Sequence, residues 1–240
     1  MKNPDIVIIK PGSQKQIYGE LSSFDLTAIE PPLWAAVIAS FLRNKNYGVE
    51  LLDAEAEGFN YQETASVVNE FNPVLAVVMV SGSNPSASTM NMTGAGEIIS
   101  EIKNESPETM TALAGLHPSA LPKKTMAEES VDFVIQGEGF YTFPALIDNL
   151  KNRHNNNNIP GLWFRKGEQI QSGGRPDLLE NLDSIPQAAW DMLPMKKYRA
   201  HNWHCFDRID SRQPYAVLYT SLGCPFHCSF CCINSLFGKN

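Results

Sequence analysis

Short, largely apolar runs recur along the first 150 residues, and a stretch with helical periodicity separates each from the next. The run at residues 5–9 is closed by Lys10-Pro11-Gly12, as suits a strand buried on both faces and stopped by turn residues. Residues 49–52, 73–80, 109–114 and 131–135 repeat the pattern, and 73–80 is the most apolar of them. Between them, Pro31-Pro32 opens a helix with Leu33, Ala36, Val37, Ser40 and Phe41 on one face, stopped by Asn46-Tyr47-Gly48. Further helices are expected over 61–71, 90–104, 122–129 and 142–151. Strands joined by helices require right-handed crossovers and a parallel sheet covered on both faces. The expected fold class is α/β, a five-stranded, doubly wound, flavodoxin-like parallel sheet.

Ligands of such sheets bind outside the carboxyl ends of the strands. Here those ends carry small and polar residues: Ser81, Gly82, Ser83 and Asn84 after the third run, Gly115 and His117 after the fourth, Gly137, Glu138 and Gly139 after the fifth. Glycines admit a bulky planar ligand close to the backbone, and hydroxyl and amide groups bond its periphery. Each loop taken singly also reads as an ordinary turn.

Four of the five cysteines fall within nine residues, in Cys224-Pro-Phe-His-Cys228-Ser-Phe-Cys231-Cys232. Three residues between the first two and two between the next let one loop turn three thiolates toward a point, as an iron-sulfur cluster requires. Structural zinc needs a second ligand pair, which the neighbouring sequence lacks. A disulfide framework does not suit a long chain with few other cysteines. His201, His204 and Cys205 also lack a second pair nearby and read as a loop packed between domains.

This C-x3-C-x2-C loop, with Phe230 before the last cysteine and an apolar strand expected over 215–223, resembles the signature of radical S-adenosylmethionine enzymes. The resemblance implies that Cys224, Cys228 and Cys231 hold a [4Fe-4S] cluster, that S-adenosylmethionine binds its open iron, and that Phe230 packs near the adenine. Cys232 has no counterpart there and reads as a small buried residue. Pro31-Pro32-Leu33, Asn46-Tyr47-Gly48-Val49-Glu50 and Gly137-Glu138-Gly139 resemble the cobalamin-binding domain that precedes the radical domain in one subclass, although Phe140 stands where that subclass often has Glu. The Asp-x-His-x-x-Gly cobalt-binding motif is absent, and the resemblance implies cobalamin bound with its base displaced and no histidine from the loop at 12–30 on the metal. His117 lies either beside the corrin or in a hydrogen-bonded turn.

The polar run Asn155 to Asn158 marks a boundary, giving a cobalamin domain over 1–152, a β-hairpin and connector over 153–212, and the first strand and cluster loop of a radical (β/α) barrel over 213–240. Such a barrel needs on the order of 200 residues. The sequence ends eight positions past Cys232, so an N-terminal part of a longer enzyme is expected. The resemblance implies radical methylation of an unactivated centre, with cyclisation or rearrangement as the alternative reaction, and an electron donor such as flavodoxin or ferredoxin. A non-catalytic cobalamin carrier or sensor is a different class, against which the intact cysteines speak. The substrate, a small molecule or peptide, is not legible. A net charge of −7 gives no basic stripe for nucleic acid. No run approaches a membrane span and the N-terminus lacks an apolar signal core, so a cytoplasmic location is expected.

Overall fold

The structure is a computed structural model, and it describes residues 3–12, 19–20, 27–81, 85–153, 158–201, 205, 208–226 and 228–238. Five parallel strands form where the apolar runs stand: β1 (Ile6–Lys10), β2 (Val49–Asp53), β3 (Leu75–Val80), β4 (Met110–Gly115) and β5 (Phe133–Ile135). Their helices are α1 (Leu33–Asn44), α2 (Ala54–Glu57), α3 (Tyr61–Phe71), α4 (Pro85–Met90), α5 (Met92–Glu105), α6 (Leu116–Ala120), α7 (Pro122–Glu128) and α8 (Thr142–Lys151). The order β2-β1-β3-β4-β5 reverses direction between β1 and β3, which places the topological switch point at their carboxyl ends.

Alternation along each strand divides the core in two. Ile6 and Ile8 of β1, with Leu75, Val77 and Met79 of β3, face α1 and α8. Val7, Ile9, Ala76, Val78 and Val80 face α3 and α5. Each fully buried aliphatic side chain of this kind contributes about 1.5–3 kcal/mol. The α3 helix is fixed at its start by a capping box, with Glu63 N donating to Asn60 Oδ1 at 2.8 Å and Asn60 N donating to Glu63 Oε2 at 2.8 Å. Asn72 in the left-handed conformation closes it.

Three expectations need amendment. The hairpin β6 (Leu162–Lys166) and β7 (Gln169–Ser172) does not stand apart as a connector; β6 pairs antiparallel with β5, and the sheet has seven strands. Leu162 and Phe164 are apolar enough to enter the core beside α8, and Trp163 packs on the opposite face. The segment 215–223 forms no strand, because among the described residues no neighbouring strand offers it a ladder. Finally, α1 is buried from Leu33 to Leu42 on almost its whole circumference, beyond the single face expected. The connector accounts for this: Ala189 N donates to Ala36 O at 3.0 Å, and Leu193 and Tyr198 pack with Ala36. Among the described residues, no helix is long and apolar enough to cross a membrane.

Candidate cofactor edge and cysteine loop

At the carboxyl end of β3, a short relay of hydrogen bonds joins the loops expected to meet a ligand. Ser88 Oγ donates to Val80 O at 2.9 Å and accepts from His117 N at 2.9 Å. Asn91 Nδ2 donates to Ser81 O at 3.1 Å. Thr89 Oγ1 and His117 Nδ1 lie 3.0 Å apart. Burial holds the His117 pKa below the ordinary imidazole value, with nearby Lys124 adding to the effect and Glu128 opposing it. In the neutral tautomer whose Nδ1 donates to Thr89, the Nε2 lone pair is left available to a metal; in the other, the Thr89 hydroxyl donates to Nδ1. Ser81 and His117 therefore stand at one edge, whereas Gly82, Ser83 and Asn84 lie outside the described residues.

The glycines expected to clear room for a ligand are needed by the chain's own packing. Gly115 has φ +118°, and a Cβ there would overlap the carbonyl oxygen of Val80 on the adjacent strand. At Gly137, φ is +82° and a Cβ would lie 2.8 Å from Pro176 Cβ. Gly139 has φ +88° and lies against the Phe143 ring. Between these two, Glu138 is only 5% exposed, and its Oε2 accepts from Leu179 N at 2.8 Å. Burial pushes the Glu138 carboxyl above the ordinary carboxylate range, and the Leu179 hydrogen bond only partly offsets this. The Gly-Glu-Gly loop thus grips the connector.

A charged cluster that sequence reasoning missed occupies the ends of β1 and β2. Lys10 Nζ lies 2.5 Å from Glu55 Oε2 and 3.5 Å from Asp53 Oδ2, and donates to Glu30 O at 2.6 Å. Tyr198 OH donates to Asp53 Oδ2 at 2.9 Å, and Ala56 N donates to Asp53 Oδ1 at 3.0 Å. Burial lowers the Lys10 pKa, but the adjacent Glu55 and Asp53 carboxylates outweigh it and hold the ammonium charged. Burial raises the Tyr198 phenol, with the Asp53 charge reinforcing the shift. The sequence signal is a lysine ending one buried strand with an aspartate ending the next, which the parallel register pairs as Lys10 and Asp53.

Downstream, Cys224 and Cys232 are half-buried and Cys228 and Cys231 exposed, all as free thiols. Cys231 N donates to Cys228 O at 3.1 Å, closing a turn between them. Phe230 is 90% exposed. Among the described residues, no three His, Cys, Asp or Glu side chains are gathered in metal-binding geometry, so the loop's spacing rather than its present shape carries the ligand reading. Cys232 precedes α9 (Ile233–Phe237). A cavity of about 500 Å³ bounded by Leu33, Trp34, Tyr219 and Leu222 lies beside this loop, and another of about 690 Å³ is bounded by Glu138, Pro176, Leu222 and Phe237. Of the doubtful metal set, Cys205 Sγ donates to His201 O at 3.8 Å, and His204, like His227, lies outside the described residues.

The chain is similar to an uncharacterized methyltransferase, PH0819, of Pyrococcus horikoshii, at 31% identity over 87% of this chain and 42% of the relative. It is 26% identical to a cytidylyl-2-hydroxyethylphosphonate methyltransferase of Streptomyces wedmorensis, over 90% of this chain and 46% of the relative. An anaerobic magnesium-protoporphyrin IX monomethyl ester cyclase of Synechocystis is 27% identical over 84% and 38%. The chain thus spans less than half the length of these curated relatives. Among solved structures, the radical S-adenosylmethionine methyltransferase TsrM of Kitasatospora setae, with cobalamin and a [4Fe-4S] cluster bound, superposes with TM-score 0.66 at 14% identity, over 99% of this chain and 43% of that one. OxsB, a cobalamin-dependent S-adenosylmethionine radical enzyme, gives TM-score 0.60 at 16% identity over 79% and 24%. These two likenesses concern the fold. The B12 binding domain family matches residues 25–147, just over half the sequence, from the segment before α1 to the middle of α8; the chain belongs to that family.

Proposed function

We propose that this chain is the cobalamin-binding and cluster-bearing part of a radical S-adenosylmethionine enzyme that methylates an unactivated centre. One observation carries the reading: a B12 binding domain and a C-x3-C-x2-C loop of free thiols stand on the same chain. Methyltransferase names among the relatives support the reaction. Residues 1–152, with the β6–β7 hairpin added to their sheet, serve the cobalamin, the rest of 153–212 links, and 213–240 begin the radical domain.

The donor set fits the cofactors chemically. Cys224, Cys228 and Cys231 are uncommitted to disulfides, and two are accessible, so they can supply three thiolates to a [4Fe-4S] cluster and leave one iron for S-adenosylmethionine. Phe230, exposed beside Cys231, offers a ring face to the adenine. Cobalamin would lie across the carboxyl ends of the parallel strands, against Ser81, residues 82–84, Gly115 and His117. The cofactors supply a radical and a transferable methyl group, while the chain orients them and excludes water. A low-potential donor such as flavodoxin or ferredoxin supplies the electron. The substrate is a small molecule or peptide.

Anaerobic reconstitution with iron and sulfide tests the ligand set. A broad charge-transfer absorption should appear, vanish in Cys224→Ala, Cys228→Ala or Cys231→Ala, and persist in Cys232→Ala; loss in Cys232→Ala alone overturns the assignment. The cyclase name of one relative favours a second reading, oxidative cyclisation. Methyl-labelled S-adenosylmethionine given to the longer enzyme separates them: S-adenosylhomocysteine and labelled product mean methylation, 5'-deoxyadenosine without either means cyclisation.

A further inference from the structure

We infer that α6 is a bridge that positions the cysteine loop relative to the cofactor edge, with Ser119 and Leu236 as its two positioning residues; the inference rests on the function proposed above. On one side, α6 is tied to the β3 end, since His117 N donates to Ser88 Oγ and Ser88 Oγ donates to Val80 O. On the other, Ser119 Oγ accepts from Gly137 N at 2.9 Å, a bond that is fully buried. The α6 helix also packs against α9, which starts immediately after Cys232. Leu236 is the buried residue of α9, and its carbonyl oxygen lies 3.7 Å from where a Gly137 Cβ would stand.

The order of connection is therefore β3 edge, α6, Gly137 loop, α9, cysteine loop. Ser119 and Leu236 are 117 positions apart in the sequence, so only packing brings the two ends together. A buried N–H that loses its acceptor favours local opening. Removing the Ser119 hydroxyl should thus loosen the Gly137 loop and the α9 that rests on it. The strands β1 and β3, held by their own ladders and core, should not notice.

Two measurements on the full chain test this. Hydrogen exchange on the cofactor-free protein should show protection of residues 233–237 falling about tenfold in Ser119→Ala, with β1 and β3 unchanged and Ser119→Thr, which keeps a hydroxyl, closer to wild type. In chain loaded with cob(II)alamin and the reduced cluster, Leu236→Ala should bind cobalamin with unchanged affinity and spectrum. It should, however, change the dipolar broadening of the cobalt paramagnetic resonance by the cluster, whereas Leu236→Met should not. Unchanged α9 exchange in Ser119→Ala, or identical broadening in wild type and Leu236→Ala, overturns the inference. A wild-type chain that loads neither cofactor sinks the proposed function instead, and the exchange result still decides whether α6 holds α9.

Discussion

Gly115→Ala separates a glycine kept for a ligand from one kept for the fold. Gly115 ends β4 at φ +118° and ψ −167°, a region essentially closed to residues with a Cβ. Forcing alanine into it costs about 1–3 kcal/mol. Val80, whose carbonyl oxygen the new methyl would overlap, is the ladder partner of Gly115, and that oxygen also receives Ser88 Oγ. Relieving the overlap breaks or lengthens one or two hydrogen bonds, at about 1 kcal/mol each. The sum, about 2–5 kcal/mol, is a large share of the 5–15 kcal/mol typical of a domain. Urea unfolding followed by circular dichroism should show a lower midpoint at unchanged slope. Gly167→Ala is the control: φ is +60° with nothing within 4 Å of a Cβ, so only the conformational cost of about 1–2 kcal/mol applies. Wild-type stability in Gly115→Ala, together with weakened cobalamin binding, would refute the reasoning and leave the ligand as the sole demand on Gly115.

Tyr198→Phe removes the hydroxyl that donates to buried Asp53 and should lower stability by about 1–3 kcal/mol in the same assay, since Lys10 and Ala56 N retain the carboxylate only in part. Glu138→Gln should instead raise the melting temperature at pH 7. The folded carboxyl titrates above its unfolded value, so its contribution is complete below about pH 4.5 and is lost as pH rises through the folded value. The amide keeps an acceptor for Leu179 N, and the difference between variant and wild type should therefore shrink toward pH 4; a constant difference from pH 4 to 8 would argue against a buried, raised carboxyl.

The five parallel strands were legible because each is a largely apolar run whose alternate residues feed opposite faces of one sheet. The cysteine loop was legible because its spacing is local. What escaped depends on contacts between distant residues. A glycine at a strand end looks alike whether a ligand or Val80 O demands it. The Gly-Glu-Gly loop read as a ligand site because nothing in its sequence shows that Leu179 and Pro176 return to it. Asp53 and Tyr198 meet across 145 positions, and no periodicity announces that. Residues 215–223 carry Tyr215, Val217, Leu218 and Tyr219, all suited to a strand, yet a strand also needs a neighbour, and composition is silent on neighbours.

The antiparallel hairpin at the end of the sheet changes what cutting the chain can achieve. Residues 154–157 sit in a polar stretch where a protease would be expected to nick. Yet β6 remains hydrogen-bonded along β5, Trp163 Nε1 donates to Gln136 Oε1 at 2.9 Å, and Arg165 Nη2 donates to Met126 O. A nicked protein should consequently migrate as two pieces under denaturing conditions and as one without them. A chain ended at 152 by design would fare worse than a nicked one, because it would leave β5 with an open edge and uncover the core where Leu162 and Phe164 now sit, which invites self-association.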